Sequence, residues 1–268
     1  LPLPSPHTPI MPEAFTGKSG TNEYGDFCLM VDWTVGRVMD TLAEAGVSDN
    51  TVLVFTSDNG CSPMADLEEL GSYGHHPSYV FRGHKADIYE GGHRIPLLIR
   101  WPDMIAPGSR CHDSVCLSDL LATCADMFGD TLPDNAGEDS VSNLPLWQGE
   151  SLSSPLREAV VHHSINGSFS IRQGRWKLEF CPGSGGWSYP NPYEGEDEGL
   201  PPVQLYDLET DIGEQTNVQD KHPEIVQKLT ELMTRYVKAG RSTPGKPKEN
   251  TGPRYWAQLN WMLESDME

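Results

Sequence analysis

Val52-Leu53-Val54-Phe55-Thr56-Ser57-Asp58-Asn59-Gly60 is the stretch on which the fold turns. Its apolar run reads as a buried strand that ends in a carboxylate, an amide and a glycine. Segments leaving the C-terminal end of a buried strand are where α/β proteins keep their chemistry. Asp58 and Asn59 offer hard oxygen donors of the kind that hold calcium or magnesium, and Gly60 lets the backbone turn sharply after them. Further along, Gly83-His84-Lys85-Ala86-Asp87-Ile88-Tyr89-Glu90-Gly91-Gly92-His93-Arg94 sets an isolated lysine ahead of a Gly-Gly turn. A second apolar strand, Ile95-Pro96-Leu97-Leu98-Ile99, follows it. Together the two runs describe a metal ion beside a cationic clamp, a site suited to an anion.

Phe27, Val31, Val35, Val38 and Leu42 recur at helical spacing and Gly46 follows, which predicts an amphipathic helix over residues 22 to 46. Asp49-Asn50 turns that helix into the first strand, a helix-then-strand unit typical of α/β folds. Residues 61 to 82 lack periodicity and are rich in Gly, Ser, Tyr and His. A long irregular segment directly after such a turn reads as a pocket wall. The second strand spans 95 to 100, and a further helix is expected from an N-cap at Ser118 to Gly129. Residues 130 to 155 are polar and read as a surface crossing.

Beyond them the pattern changes. Ala159-Val160-Val161-His162-His163 and Phe169-Ser170-Ile171-Arg172 flank Asn166-Gly167, a strong hairpin signal. Arg175 to Phe180 alternates apolar with polar residues, and Val203 to Leu208 makes another strand after an acidic, Gly/Pro-rich loop. A helix beginning at Pro223 gathers Ile225, Leu229, Leu232, Met233 and Tyr236 on one face. The expected organisation is an α/β portion over 1–155, a small α+β portion over 156–242, and a loosely attached tail over 243–268. Trp256, Trp261 and Met262 are candidates to fold that tail back onto the body.

A net charge of −20 argues against nucleic acid as a partner, because phosphate binding calls for a basic surface. No run approaches the ~20 apolar residues of a membrane span. The six cysteines form no CxxC pair, which disfavours structural zinc and leaves a Cys111–Cys116 bridge open. The chain opens at Leu1, inside a proline-rich stretch, and so reads as the middle of something longer.

Pro6-His7-Thr8-Pro9, Val54 to Gly60, and Gly83-His84-Lys85 through Glu90-Gly91-Gly92-His93-Arg94-Ile95-Pro96 resemble the later half of the formylglycine-dependent, arylsulfatase-type sulfatases. Gly174-Arg175-Trp176-Lys177-Leu178 and Leu205-Tyr206-Asp207-Leu208-Glu209-Thr210-Asp211 resemble that family's small C-terminal domain. The resemblance implies part of an alkaline-phosphatase-like mixed sheet flanked by helices, followed by a small antiparallel sheet with one C-terminal helix. It implies Asp58 and Asn59 as metal ligands, for Ca2+ or alternatively Mg2+. Lys85 would hold the sulfate, and His7 would contact it and protonate the leaving alcohol. His75, His76, His84 and Arg94 are weaker candidates for lining the substrate pocket, and Glu90 is expected to brace the Gly-Gly turn by pairing with Arg94.

The formylglycine of such enzymes arises from Cys or Ser in a Cys/Ser-x-Pro/Ala-x-Arg motif. Cys61-Ser62-Pro63-Met64-Ala65 has alanine in place of the arginine and sits directly after Gly60, so it is read as coincidental. The nucleophile, the remaining metal ligands and the other sulfate contacts are thus expected from a missing N-terminal half. The implied substrate is a sulfated small molecule or, more specifically, a carbohydrate. The implied location is periplasmic, secreted or lysosomal, and the expected partners are a second copy of the chain or the missing half. Two alternatives stand beside this reading: a non-catalytic remnant acting as a binding module, and a phosphoester or phosphonate hydrolase of the same superfamily.

Overall fold

The computed structural model describes residues 1–3, 6–7, 12–252 and 256–263. Thr8 and Pro9 of the opening motif and residues 264–268 of the tail lie outside the described residues.

Helix α1 (Glu23–Glu44) begins where the Asn22 side chain accepts hydrogen bonds from the Tyr24 and Gly25 amides, and Gly46 lies just beyond its end. The Asn22 amide also donates to Ala65 O at 2.9 Å, tying the helix start to the segment that follows Gly60. Strand β1 (Leu53–Thr56) follows. The irregular segment contains a 3-10 turn at Pro63–Ala65 and the short helix α2 (Leu67–Ser72). Next come a single helical turn, α3 (Glu90–His93), and strand β2 (Leu97–Arg100). β1 and β2 pair antiparallel with Phe55 opposite Leu98 and Thr56 opposite Leu97. The end of β1 therefore lies beside the start of β2, and the turns after one strand and before the other meet at one edge.

Helices α4 (Asp119–Met127) and α5 (Leu144–Trp147) span the polar crossing. Ser118 occupies the N-cap position of α4, but it is helical and its side chain makes no capping bond. The buried Asp119 carboxylate serves instead, accepting from the Cys116 and Val141 amides and pairing with Arg157.

Strands β3 (Val160–His163), β4 (Phe169–Gln173), β5 (Trp176–Glu179) and β6 (Gln204–Asp207) form an antiparallel sheet in sequence order. Helix α6 (Pro223–Ala239), with proline in its first turn and Gly240 left-handed at its end, covers β4 and β5. Ile171, Leu178, Leu205, Leu229, Leu232 and Met233 fill the space between. The tail is held more firmly than its composition suggests. Trp261 stacks on Phe180 at 4.0 Å between ring centres, and its indole donates to Thr234 Oγ1. A short helix, α7 (Asn260–Leu263), carries it.

A second core joins the two portions. Ile88 and Tyr89, from the run between Gly83 and Arg94, are buried against Cys181, Tyr206 and Leu208 of the C-terminal sheet region. Backbone bonds reinforce the join: Ile88 N donates to Ser184 O and Ile165 N donates to Ala86 O. By contrast β1 is only half-buried along its length, because its flank opens into a cleft.

Candidate active site

That cleft encloses about 1040 Å3 and is walled by α1, the β1–β2 pair and the loops at their shared edge. His7, Asp58, Asn59, Lys85 and Arg94 all line it. The antiparallel register explains the convergence, since Asp58 and Asn59 leave β1 where Arg94 approaches β2.

Glycine packing holds the two turns together. Gly60 N donates to Gly92 O at 3.0 Å, and a side chain at Gly60 would place its Cβ 1.8 Å from Gly91 O. Gly60 is needed for this close approach rather than for an unusual backbone angle. Gly91 is constrained likewise, its absent Cβ lying 2.3 Å from Gly83 O. Lys85 N donates to Cys61 O at 2.9 Å, which seats the lysine turn on the segment leaving Gly60. Cys61 itself is half-buried, and that burial pushes its thiol up. It is also a free thiol, as are Cys111, Cys116 and the other three cysteines.

Glu90 pairs with Arg94 at 3.0 Å, as the spacing suggested, but it belongs to a larger assembly. The wholly buried Lys177 of β5 reaches Glu214 at 2.6 Å, Glu179 at 3.2 Å, Glu90 at 3.4 Å and the Ile88 carbonyl at 3.0 Å. Burial alone would raise the Glu90 carboxyl; Lys177, Arg172 and Arg94 overcome this and hold it below the usual range. Burial raises Glu179 well above its usual value, and the Glu214 charge adds to this against the pull of Lys177. Beside them His93 and His162 lie 4.1 Å apart. Burial, with Lys177 adding to it, pushes His93 down to about 4 and keeps His162 low as well. This assembly pins the turn that carries Lys85 and Arg94 onto the C-terminal sheet.

Of the weaker candidates, Arg94 alone reaches the cleft lining. His75 and His76 are exposed outside it, and His84 binds back to the Lys85 carbonyl at 2.9 Å. The lining also includes Ser78, Tyr79 and Phe81, from the irregular segment that the sequence marked only as a wall. The Lys177 assembly is not legible in the sequence, because Lys177 and Glu179 alternate with apolar neighbours and look like a solvated strand face. Opposite charges two residues apart on one face were its available signal.

The sulfatase family profile matches residues 3–130, a span holding His7, Asp58, Asn59, Lys85 and Arg94. The chain belongs to the sulfatase family. It is 37% identical over 235 residues to an N-acetylgalactosamine-6-O-sulfatase of Bacteroides thetaiotaomicron, covering 85% of this chain and 44% of that protein. It is 28% identical over 275 residues to the human N-acetylgalactosamine-6-sulfatase, covering 95% of this chain and 50% of that protein. A solved structure described as BT33336S-sulf, from a glycosaminoglycan-metabolism locus of Bacteroides thetaiotaomicron, superposes with a TM-score of 0.72 at 35% identity. It covers 83% of this chain and 46% of that one, and carries the alkaline-phosphatase-like assignment of the fold. The sulfatase chain thus spans about half the length of the curated relatives it matches. Among its described residues no helix is long and apolar enough to cross a membrane.

Proposed function

We propose that this chain supplies the later half of the active site of a sulfuric ester hydrolase acting on a carbohydrate sulfate monoester. The observation that carries the reading is the convergence of His7, Asp58, Asn59 and Lys85 on one cleft. The similarity to N-acetylgalactosamine-6-sulfatases favours a 6-sulfated hexosamine as substrate.

In this reading Lys85 faces the sulfate and neutralises charge as the ester oxygen departs. His7 donates the proton that the leaving alcohol needs, a task suited to an imidazole because its ordinary pKa lies near neutral pH. Arg94, held by Glu90, sets a second cation at the rim.

The oxygens of Asp58 and Asn59 fit a hard divalent cation such as Ca2+ in chemistry, though two donors fall short of the six to eight oxygens that calcium takes. Among the described residues no group of three or more His, Cys, Asp or Glu is placed to hold a metal. The remaining ligands, and a formylglycine nucleophile, are proposed to come from sequence preceding Leu1. Bound there, the ion would supply Lewis-acid polarisation of a sulfate oxygen. That segment would also cover the apolar cleft wall of Val31, Val35, Met39, Leu53 and Leu98. A periplasmic, secreted or lysosomal setting accords with this family.

The test is hydrolysis of sulfate and phosphate monoesters by the full-length protein, with Lys85→Ala alongside. Sulfate esters should be preferred, with kcat/KM falling roughly 10²–10³-fold in the variant. A preference for phosphate esters, or an unchanged Lys85→Ala enzyme, sinks the reading. Turnover by residues 1–268 in isolation would refute the external nucleophile.

A further inference from the structure

Three residues of the cleft rim, Ser78, Tyr79 and Phe81, combine features that the fold does not need. Tyr79 is 74% exposed and has a φ of +54°, a left-handed conformation unfavourable for a bulky side chain. It is kept there by a tight turn in which Tyr79 N donates to His76 O at 2.8 Å and Phe81 N donates to Ser78 O at 3.0 Å. The strained turn therefore presents a largely exposed aromatic ring in the cleft lining, with the Phe81 ring as its aromatic neighbour. Ser78 Oγ lies buried in the same lining with no hydrogen-bond partner among the described residues. A buried hydroxyl left unpaired is costly, and such a cost is retained where a ligand completes the bond. Phe81 meets Tyr79 edge-on at 5.9 Å between ring centres, and Arg94 lies over the Phe81 ring at 4.8 Å.

We infer that Ser78, Tyr79 and Phe81 seat the pyranose ring that carries the sulfate, and so select a sugar ester over a simple aryl ester. This rests on the proposed sulfatase reading and deepens it. The chemistry matches on both sides. A pyranose has a face of C–H bonds with partial positive charge, complementary to the negative face of an aromatic ring. Its edge carries hydroxyls that can pair with Ser78 Oγ and the Arg94 guanidinium. The same cleft holds Lys85 for the anionic group, so ring and sulfate are recognised by different residues. An aromatic surface with a few placed polar groups is the usual make-up of a small-molecule site.

The experiment measures binding to the full-length protein by titration calorimetry, so that turnover plays no part. The probes are a galactopyranoside whose C6 carries a sulfonate through an uncleavable carbon–sulfur bond, inorganic sulfate, and an aryl sulfonate. Tyr79→Ala is expected to weaken the sugar sulfonate about 10-fold or more and to leave sulfate within about 2-fold. Tyr79→Phe should bind the sugar like the parent, because the ring is kept. Ser78→Ala should weaken the sugar several-fold while the thermal midpoint holds or rises, since a structural hydroxyl would lower it. An unchanged sugar affinity in Tyr79→Ala overturns the inference, as does a loss confined to the aryl sulfonate or an equal loss for all three probes. Lys85→Ala reports on the underlying reading by itself: unchanged sulfate affinity there refutes the anion site, whatever the Tyr79 variants show.

Discussion

Replacing Lys177 with methionine tests the assembly that positions the site. The ammonium lies within 3.4 Å of Glu214, Glu179 and Glu90, and it is wholly buried. Burial pushes the Glu179 carboxyl well up, so it leans less on the lysine than its two partners do. Glu90 keeps Arg94 at 3.0 Å and Arg172 at 3.4 Å. Glu214 keeps the Glu90 amide, which donates to it at 2.7 Å, so its charge is the one left without a cation. Breaking a buried pair from one side costs about 3–5 kcal/mol, a large share of the roughly 5–15 kcal/mol that holds a domain folded. Urea unfolding at pH 7, followed by tryptophan fluorescence, should show that loss as a lower midpoint with an unchanged slope. Adding Glu214→Gln removes the stranded charge, and the double variant should recover about 2 kcal/mol or more relative to Lys177→Met alone. A loss under about 1 kcal/mol in Lys177→Met, or simple additivity in the double variant, would refute the account of a charge-balanced cluster.

Three further outcomes follow from the same geometry. His93 is held near 4 in the folded chain against an ordinary 6.5, so the unfolded chain takes up the proton first as pH falls. Its contribution is therefore full above about pH 6.5 and is lost on the way down to about 4. The unfolding free energy of the parent minus that of His93→Gln should fall by up to about 3 kcal/mol over that window; a pH-independent difference would count against it. Gly60→Ala should destabilise by about 1–3 kcal/mol, because the carbonyl its Cβ meets is backbone, and a thermal scan matching the parent would show the contact is not tight. Trp261→Ala should release the tail, seen as faster limited proteolysis after residue 242 without unfolding of the body; unchanged cleavage would mean that the Phe180 stack does not anchor it.

The local grammar was legible in the chain itself. The helical spacing of Phe27 to Leu42, the apolar strand ending at Asp58, the Asn166-Gly167 hairpin and the Pro223 helix all appear in the structure, within a few residues of their expected places. These are short-range signals, set by side-chain periodicity and by backbone preferences that neighbours in sequence decide. That His7, Asp58, Asn59 and Lys85 belong together was also legible in the chain, because they matched a family pattern, and all four line one cleft. What the sequence did not decide was which surfaces would meet. The Lys177–Glu179 face of β5 reads as solvated, yet the turn from Gly83 to Arg94 closes over it and makes it a buried ion cluster. Ser78 and Tyr79 fall in a segment that reads as a pocket wall, but nothing local singles them out, and only the fold sets them in the lining of the same cleft as Lys85. Burial and electrostatic environment depend on contacts between residues tens of positions apart, and no local pattern encodes the partner.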